Sequence, residues 1–227
     1  MSWLVDRLAL GSGKTVVDVG AGTGKLTRQL VASGARIVAV EPLAEMRAQF
    51  ALVLPSVEIV DGTAEALPLD DECADAVTAA AAFHWFDLDR ALPEFHRVLR
   101  PGGSLAVVRN YRDLRDPVQA SVQEIIEAYV PDERAFEAWK SIMKATLYFD
   151  GPEIFQTTHE QLVDADGLAE RVGTTSYVAR LPDEERADVL DRVRAVGAGQ
   201  PEELFAFRYR SDAFVFRRRN ADYPLPE

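Results

Sequence analysis

Short apolar runs alternate with amphipathic stretches along the first half of the chain, the rhythm of a parallel sheet covered on both faces by helices. Val16-Val17-Asp18-Val19 is rich in β-branched residues, lies between Lys14 and Gly20, and reads as a buried strand. Lys25–Ala32 places Leu26, Leu30 and Val31 on one helical face and runs into Ser33-Gly34, a pair suited to end a helix. Arg36–Val40 reads as a second strand, Leu43–Leu54 as a helix stopped by Pro55, and Val57–Val60 as a third strand. Ala74–Ala79 gives a fourth strand, Leu88–Leu99 a helix ending before Pro101-Gly102-Gly103, and Ser104–Val108 a fifth strand.

The rhythm changes after Asn110. Val118–Tyr129 and Ala135–Met143 carry helical spacing with no strand between them. Ile154–Val163 looks extended, Gly167–Val172 is a short helix, and Asp183–Val196 is a long one closed by Gly197. Leu204–Arg219 alternates aromatic and charged residues, as one or two half-buried strands would. The pattern predicts a single α/β domain over residues 1–227. Its core covers about 14–112, a helical insertion follows the fifth strand at about 113–150, and strands and helices at about 151–220 complete it.

Composition narrows the setting. With 227 residues and 48% hydrophobic content, the chain can bury a core without cross-links. One cysteine, Cys73, excludes an internal disulfide and a thiolate zinc site, and a reducing, cytoplasmic compartment is expected. The net charge of −12 repels phosphate backbones and anionic lipid, so neither nucleic acid nor membrane is expected as a partner. Arg217-Arg218-Arg219 is the one basic run, and its plain reading is a solvated strand end. Met1–Leu10 lacks the features of a signal peptide. His84, His96 and His159 are scattered and no metal site is expected.

The chemistry concentrates in Val16–Gly24, V-V-D-V-G-A-G-T-G. A strand entering a glycine turn lets backbone approach a ligand closely, and the helix that follows offers free amides and a positive dipole end. A dinucleotide turn prefers G-x-G-x-x-G. Here Gly20, Gly22 and Gly24 give G-x-G-x-G, with Asp18 placed to hold a cationic amino group rather than a pyrophosphate.

This stretch resembles the first motif of the class I S-adenosylmethionine-dependent methyltransferases, and three further elements agree in order. Glu41, in Val38-Ala39-Val40-Glu41-Pro42, matches the acid that binds both ribose hydroxyls. Gly62-Thr63-Ala64-Glu65-Ala66-Leu67-Pro68-Leu69 matches the loop against the adenine, with Thr63 where many relatives carry an acid. Leu99-Arg100-Pro101-Gly102-Gly103 matches the turn before the fifth strand. The resemblance covers about residues 14–110 and implies a Rossmann-like seven-stranded sheet with helices on both faces. It implies S-adenosyl-L-methionine as cofactor, S-adenosyl-L-homocysteine as product, and no metal. The cofactor residues it implies are Asp18, Gly20, Ala21, Gly22, Thr23, Gly24, Glu41, Pro42, Gly62, Thr63, Ala64, Glu65 and Ala80.

Phe83-His84-Trp85-Phe86-Asp87 and Val108-Arg109-Asn110 narrow the resemblance to the branch of trans-aconitate methyltransferase-like small-molecule enzymes. That branch often has Gln where this chain has Ala80-Ala81-Ala82, and Trp where it has Arg109, so its acceptor is not carried over. His84 has two readings, a general base near neutral pH or a histidine that positions its loop. Trp85, Arg109 and Tyr111 are candidate substrate contacts, and Arg109 and Arg112 would suit a carboxylate. Relatives usually carry a longer segment before the first strand than Met1–Thr15. Either the chain has been shortened, or the site is more open and is closed by something else, a partner subunit in a homodimer or the Val118–Met143 insertion. The function expected is in-line methyl transfer to oxygen or nitrogen of a small molecule. The alternatives are a non-catalytic binding protein of the same fold and an NAD(P)-dependent oxidoreductase.

Overall fold

The computed structural model describes residues 1–130, 140 and 142–219. Seven strands form one mixed sheet: β1 Thr15–Val19, β2 Arg36–Val40, β3 Glu58–Val60, β4 Ala74–Ala80, β5 Leu99–Arg112, β6 Phe149–Val163 and β7 Phe205–Arg218. Their spatial order is β3-β2-β1-β4-β5-β7-β6, and β3 through β5 pair in parallel. Val16–Val19 are all buried, which is why this strand carries no alternation of apolar and polar residues. The chain winds outward from β1 to β3 and then returns to place β4 on the other side of β1. Beyond the carboxyl ends of β1 and β4 the connections part, and such a switch point opens a crevice where α/β sheets take their ligands.

Two compact units are distinguished. The first comprises the described residues of Met1–Arg109, Phe136–Phe155 and Asp212–Glu227; the second, those of Asn110–Ala135 and Gln156–Ser211. Strands β5, β6 and β7 each contribute residues to both. The expected insertion at 113–150 is therefore divided, and the reason lies in where its apolar residues go. Val118, Val122 and Ile126 join a helical cluster with Leu168, Val172, Val189 and Val193. Ile142, Ala145 and Phe149 instead join the core of the sheet with Val77, Phe95 and Leu105.

In the first unit, helix α1 (Ser2–Arg7) precedes β1, α2 (Thr27–Leu30) follows the glycine turn, and α3 (Ala44–Val53) links β2 to β3. Helix α4, Leu88–Val98, is capped by the Asp87 side chain and buries Leu88, Ala91, Leu92, Phe95 and Val98, one stripe at helical spacing. The helix expected over Lys25–Ala32 is shorter than its apolar spacing suggested. The turn uses residues up to Leu26, and a 3₁₀ segment, Val31–Ser33, tightens the end, where the Ser33 hydroxyl donates to the Leu30 carbonyl at 2.6 Å. Gly34 then closes it in the left-handed conformation. Strand β5 is longer than Ser104–Val108 because it absorbs Pro101-Gly102-Gly103 as an irregularity: Ala74 pairs with Leu99, but Ala76 pairs with Ser104.

The second unit packs α5 (Pro117–Ile126), α6 (Ala165–Gly173), α7 (Ser176–Ala179) and α8 (Asp183–Ala198) around an apolar cluster that includes Phe205 and Phe207. Helix α7 was not evident in the sequence, since four residues carry too little periodicity. The expected helix at Ala135–Met143 falls mostly outside the described residues, while residues 142–145 are helical. Asp116 caps α5 by accepting from the amides of Val118 and Gln119, and its other oxygen meets Arg208 at 3.2 Å. The ends of α6 and α8 touch so closely that a methyl group on Gly197 would lie 2.6 Å from the Ala165 Cα. Gly197→Ala should therefore cost about 1–3 kcal/mol by overpacking, measurable as a lower midpoint in chemical denaturation.

Candidate functional site

The glycine turn after β1 is held from three directions. The amides of Gly20 and Ala21 both donate to the Val40 carbonyl, at 2.8 and 3.1 Å, which ties the turn to the end of β2. The Gly22 amide donates to Glu41 Oε2 at 2.9 Å, while Glu41 Oε1 accepts from the Leu43 amide at 3.1 Å. The third hold comes from the segment after β4: a Cβ on Gly20 would lie 2.7 Å from the Ala82 Cβ and 3.3 Å from the Phe86 ring. At that contact only glycine fits.

The glycines divide the work. A Cβ on Gly24 would strike Leu54 and Phe50, so this position seats the turn against α3. A Cβ on Gly22 would meet nothing within 4 Å, which makes its face the open one. Glu41 lies beside it, buried, with one backbone amide on each carboxylate oxygen. A carboxylate oxygen has two acceptor sites, so each keeps one for a further donor. Arg47 fixes the loop that follows by donating to the carbonyls of Glu41 and Pro42 and pairing with Asp61.

Asp18 lies beneath the turn, not on its open face. It is 1% exposed; Oδ2 accepts from the Thr27 hydroxyl at 2.5 Å and Oδ1 from the Thr78 hydroxyl at 2.8 Å. Burial pushes its carboxyl up to about 6, and the two hydroxyls partly offset that. In this geometry Asp18 ties the underside of the turn to β4 and α2.

The adenine-side loop is positioned from α4. Glu94 accepts from the Leu67 amide at 2.8 Å, and Arg97 donates to the carbonyls of Leu67 and Leu69 as well as to Glu94 and Asp71. The salt bridge holds Glu94 below the usual carboxylate range. Gly62 is pressed against Pro68 and Val40, Thr63 is exposed, and Ala64 is core. Glu65 accepts from the Asp87 amide at 2.8 Å, which places its carboxylate on the loop after β4. Ala80 ends β4, and the next residue, Ala81, has a positive φ of 53° and donates its amide to Val108. Thr23 and Ala21 are half-buried in the turn, and Pro42 is exposed.

Phe83–Trp85 forms a 3₁₀ turn with Phe83 buried, while His84 and Trp85 are exposed with rings 4.9 Å apart. Arg109 belongs to the first unit and Tyr111 to the second, where the Arg210 guanidinium stands 4.9 Å from its ring. Among the described residues no cluster of three or more His, Cys, Asp or Glu is placed to hold a metal, and no helix is long and apolar enough to cross a membrane. Sequence reasoning passed over Thr27, Thr78, Arg47 and the Glu94–Arg97 pair. Thr78 left one signal, a hydroxyl amid the alanines of a buried strand.

A family model for a methyltransferase domain matches residues 17–107. An uncharacterized methyltransferase of Mycobacterium tuberculosis is 39% identical over 203 residues, which is 87% of this chain and 79% of that protein. The chain belongs to the class I methyltransferases. This methyltransferase is also 32% identical to an uncharacterized methyltransferase-like protein of Schizosaccharomyces pombe, covering 96% of the chain and 88% of that protein. It is 33% identical to a trans-aconitate 2-methyltransferase of an Azoarcus species, over 82% of the chain and 79% of the relative. Among solved structures, a candidate type II methyltransferase of Anaeromyxobacter dehalogenans aligns with a TM-score of 0.67 at 25% identity, covering 96% of each chain.

The buried state of Asp18 has a measurable consequence. Its folded pKa, about 6, exceeds the ordinary value of 3.8, so protonation favours the fold. That contribution is complete only well below pH 3.8 and is lost as pH rises through 6. Relative to Asp18→Asn, which does not titrate, the wild type should lose about 2 kcal/mol of unfolding free energy between pH 4 and pH 7. Denaturant titrations of both proteins at the two pH values measure the difference.

Proposed function

We propose that this methyltransferase uses S-adenosyl-L-methionine to methylate an oxygen or nitrogen of a small molecule, by in-line displacement. The observation that carries the reading is the open face of Gly22 beside Glu41, whose two oxygens each retain an acceptor site for a vicinal diol such as a ribose. When bound, the cofactor supplies an electrophilic methyl carbon on a sulfonium. Everything else falls to the chain. Glu41 and the Gly22 turn orient the adenosyl group; Pro42, Gly62 and Thr63 flank its base; Asp18 positions the turn through Thr27 and Thr78.

Alignment of the acceptor lone pair then supplies much of the rate, since in-line attack depends on orientation. The exposed Trp85 offers an aromatic face for a cation or a flat acceptor, and Arg109 a charge for an anionic one. His84, next to Trp85, is the residue available to take a proton from a phenol or amine, a task that a carboxylate acceptor would not require. The likeness to a trans-aconitate 2-methyltransferase supports starting with small carboxylic acids.

Glu41→Ala removes the carboxylate and releases two backbone amides. Loss of charge-assisted bonds worth about 1.5–3 kcal/mol should weaken S-adenosyl-L-homocysteine binding by about 10- to 100-fold in calorimetry, with far-ultraviolet circular dichroism unchanged. Methyl-labelled cofactor incubated with carboxylic acids, phenols and amines reads out the acceptor class. Tight cofactor binding with no labelled product from any class would favour a non-catalytic protein of this fold.

A further inference from the structure

The second unit holds a group of cationic and phenolic side chains that the glycine-turn site does not use. Arg112 Nη1 is buried with no hydrogen-bond partner among the described residues, while its Nη2 reaches the Tyr177 hydroxyl only at 3.4 Å. The Arg171 guanidinium stands 5.4 Å from the centre of the Tyr209 ring. Burial pushes the Tyr209 phenol up, and the charges of Arg171 and Arg112 partly offset that. Neither Arg112 nor Arg171 forms a salt bridge among the described residues. Elsewhere Arg47, Arg97, Arg100, Arg194 and Arg208 each grip a carboxylate. In a chain with a net charge of −12, two arginines turned toward phenols instead of acids are conspicuous. An unsatisfied buried donor costs about 1–3 kcal/mol, so such an atom is retained where something external satisfies it.

We propose that the second unit carries a binding site for the oxyanion of a small molecule, carboxylate or phosphate, formed by Arg112, Arg171, Tyr177 and Tyr209. Arg112 Nη1 supplies the donor that lacks a partner, Arg171 the second positive charge, and the tyrosines neutral hydroxyl donors. His159 reports on occupancy. Its ring stacks on Tyr209 at 5.3 Å, its Nδ1 lies 3.1 Å from the Ser211 hydroxyl, and burial together with Arg171 holds its pKa below the ordinary value. An anion on Arg171 offsets that repulsion and raises the His159 pKa. This inference is independent of methyl transfer, because neither cofactor nor acceptor enters its test.

The test is titration of the full chain with citrate and, separately, inorganic phosphate, at ionic strength held constant with sodium chloride. The His159 imidazole resonances are followed by NMR. Saturable binding with an upward move of the His159 titration is expected, weakened at least tenfold in Arg171→Gln and in Arg112→Gln. Saturation by citrate alone identifies a carboxylate site and saturation by phosphate alone a phosphoryl site; either supports the proposal. Should Arg112→Gln fail to fold by circular dichroism, the half-buried Arg171→Gln variant decides. Failure of both anions to bind, or Arg171→Gln binding as tightly as wild type, overturns it.

Discussion

A carboxylate with no access to water organises the first unit. Asp18 could have been solvated, yet it sits beneath the turn with a hydroxyl on each oxygen. Thr27 belongs to the helix after the turn and Thr78 to the neighbouring strand, so one side chain fixes three segments to each other. The cost is desolvation, visible in a carboxyl that holds its proton to about pH 6. What the burial secures is the shape of the turn, since Gly20 and Ala21 then meet the end of β2 and Gly22 meets Glu41.

The outer parts of the site rest on this arrangement by a different logic. Loops after β2 and β3 are held by charged groups reaching back to backbone: Arg47 for one, Glu94 and Arg97 for the other. Such charge-assisted bonds tolerate water and keep loops in place without burying them. Rigid glycine contacts lie at the centre and polar braces at the rim. A site that must admit and release a ligand benefits from that gradient, because the braces can exchange with solvent while the turn beneath stays fixed.

The parallel half of the fold was legible because strands buried on both faces and helices with one apolar stripe leave distinct periods, as in Val16–Val19 and Leu88–Val98. The glycine turn and Glu41 were legible because their spacing is local. Asp18 was identified, but its neighbours were not: Thr27 is nine residues away and Thr78 sixty, and no local pattern couples them. The same holds for the division of the chain. Residues on either side of 131–139 look alike in periodicity, and only their partners, Leu168 and Val193 for one stretch and Val77 and Phe95 for the other, separate them. Arg112 was legible, with Arg109, as a cation just beyond the fifth strand, whereas its grouping with Arg171 and Tyr209 depends on β7 and α6, far along the chain.

The contact between Gly20 and Ala82 carries a lesson for redesign. Because the Ala82 methyl leaves no room for a Cβ on Gly20, the floor of the crevice is a fixed datum, and Gly20 cannot be enlarged without a shift of its surroundings. A little further on, His84 and Trp85 are exposed. Diversity introduced there could retune which molecules are accepted while the seat beneath them keeps its dimensions.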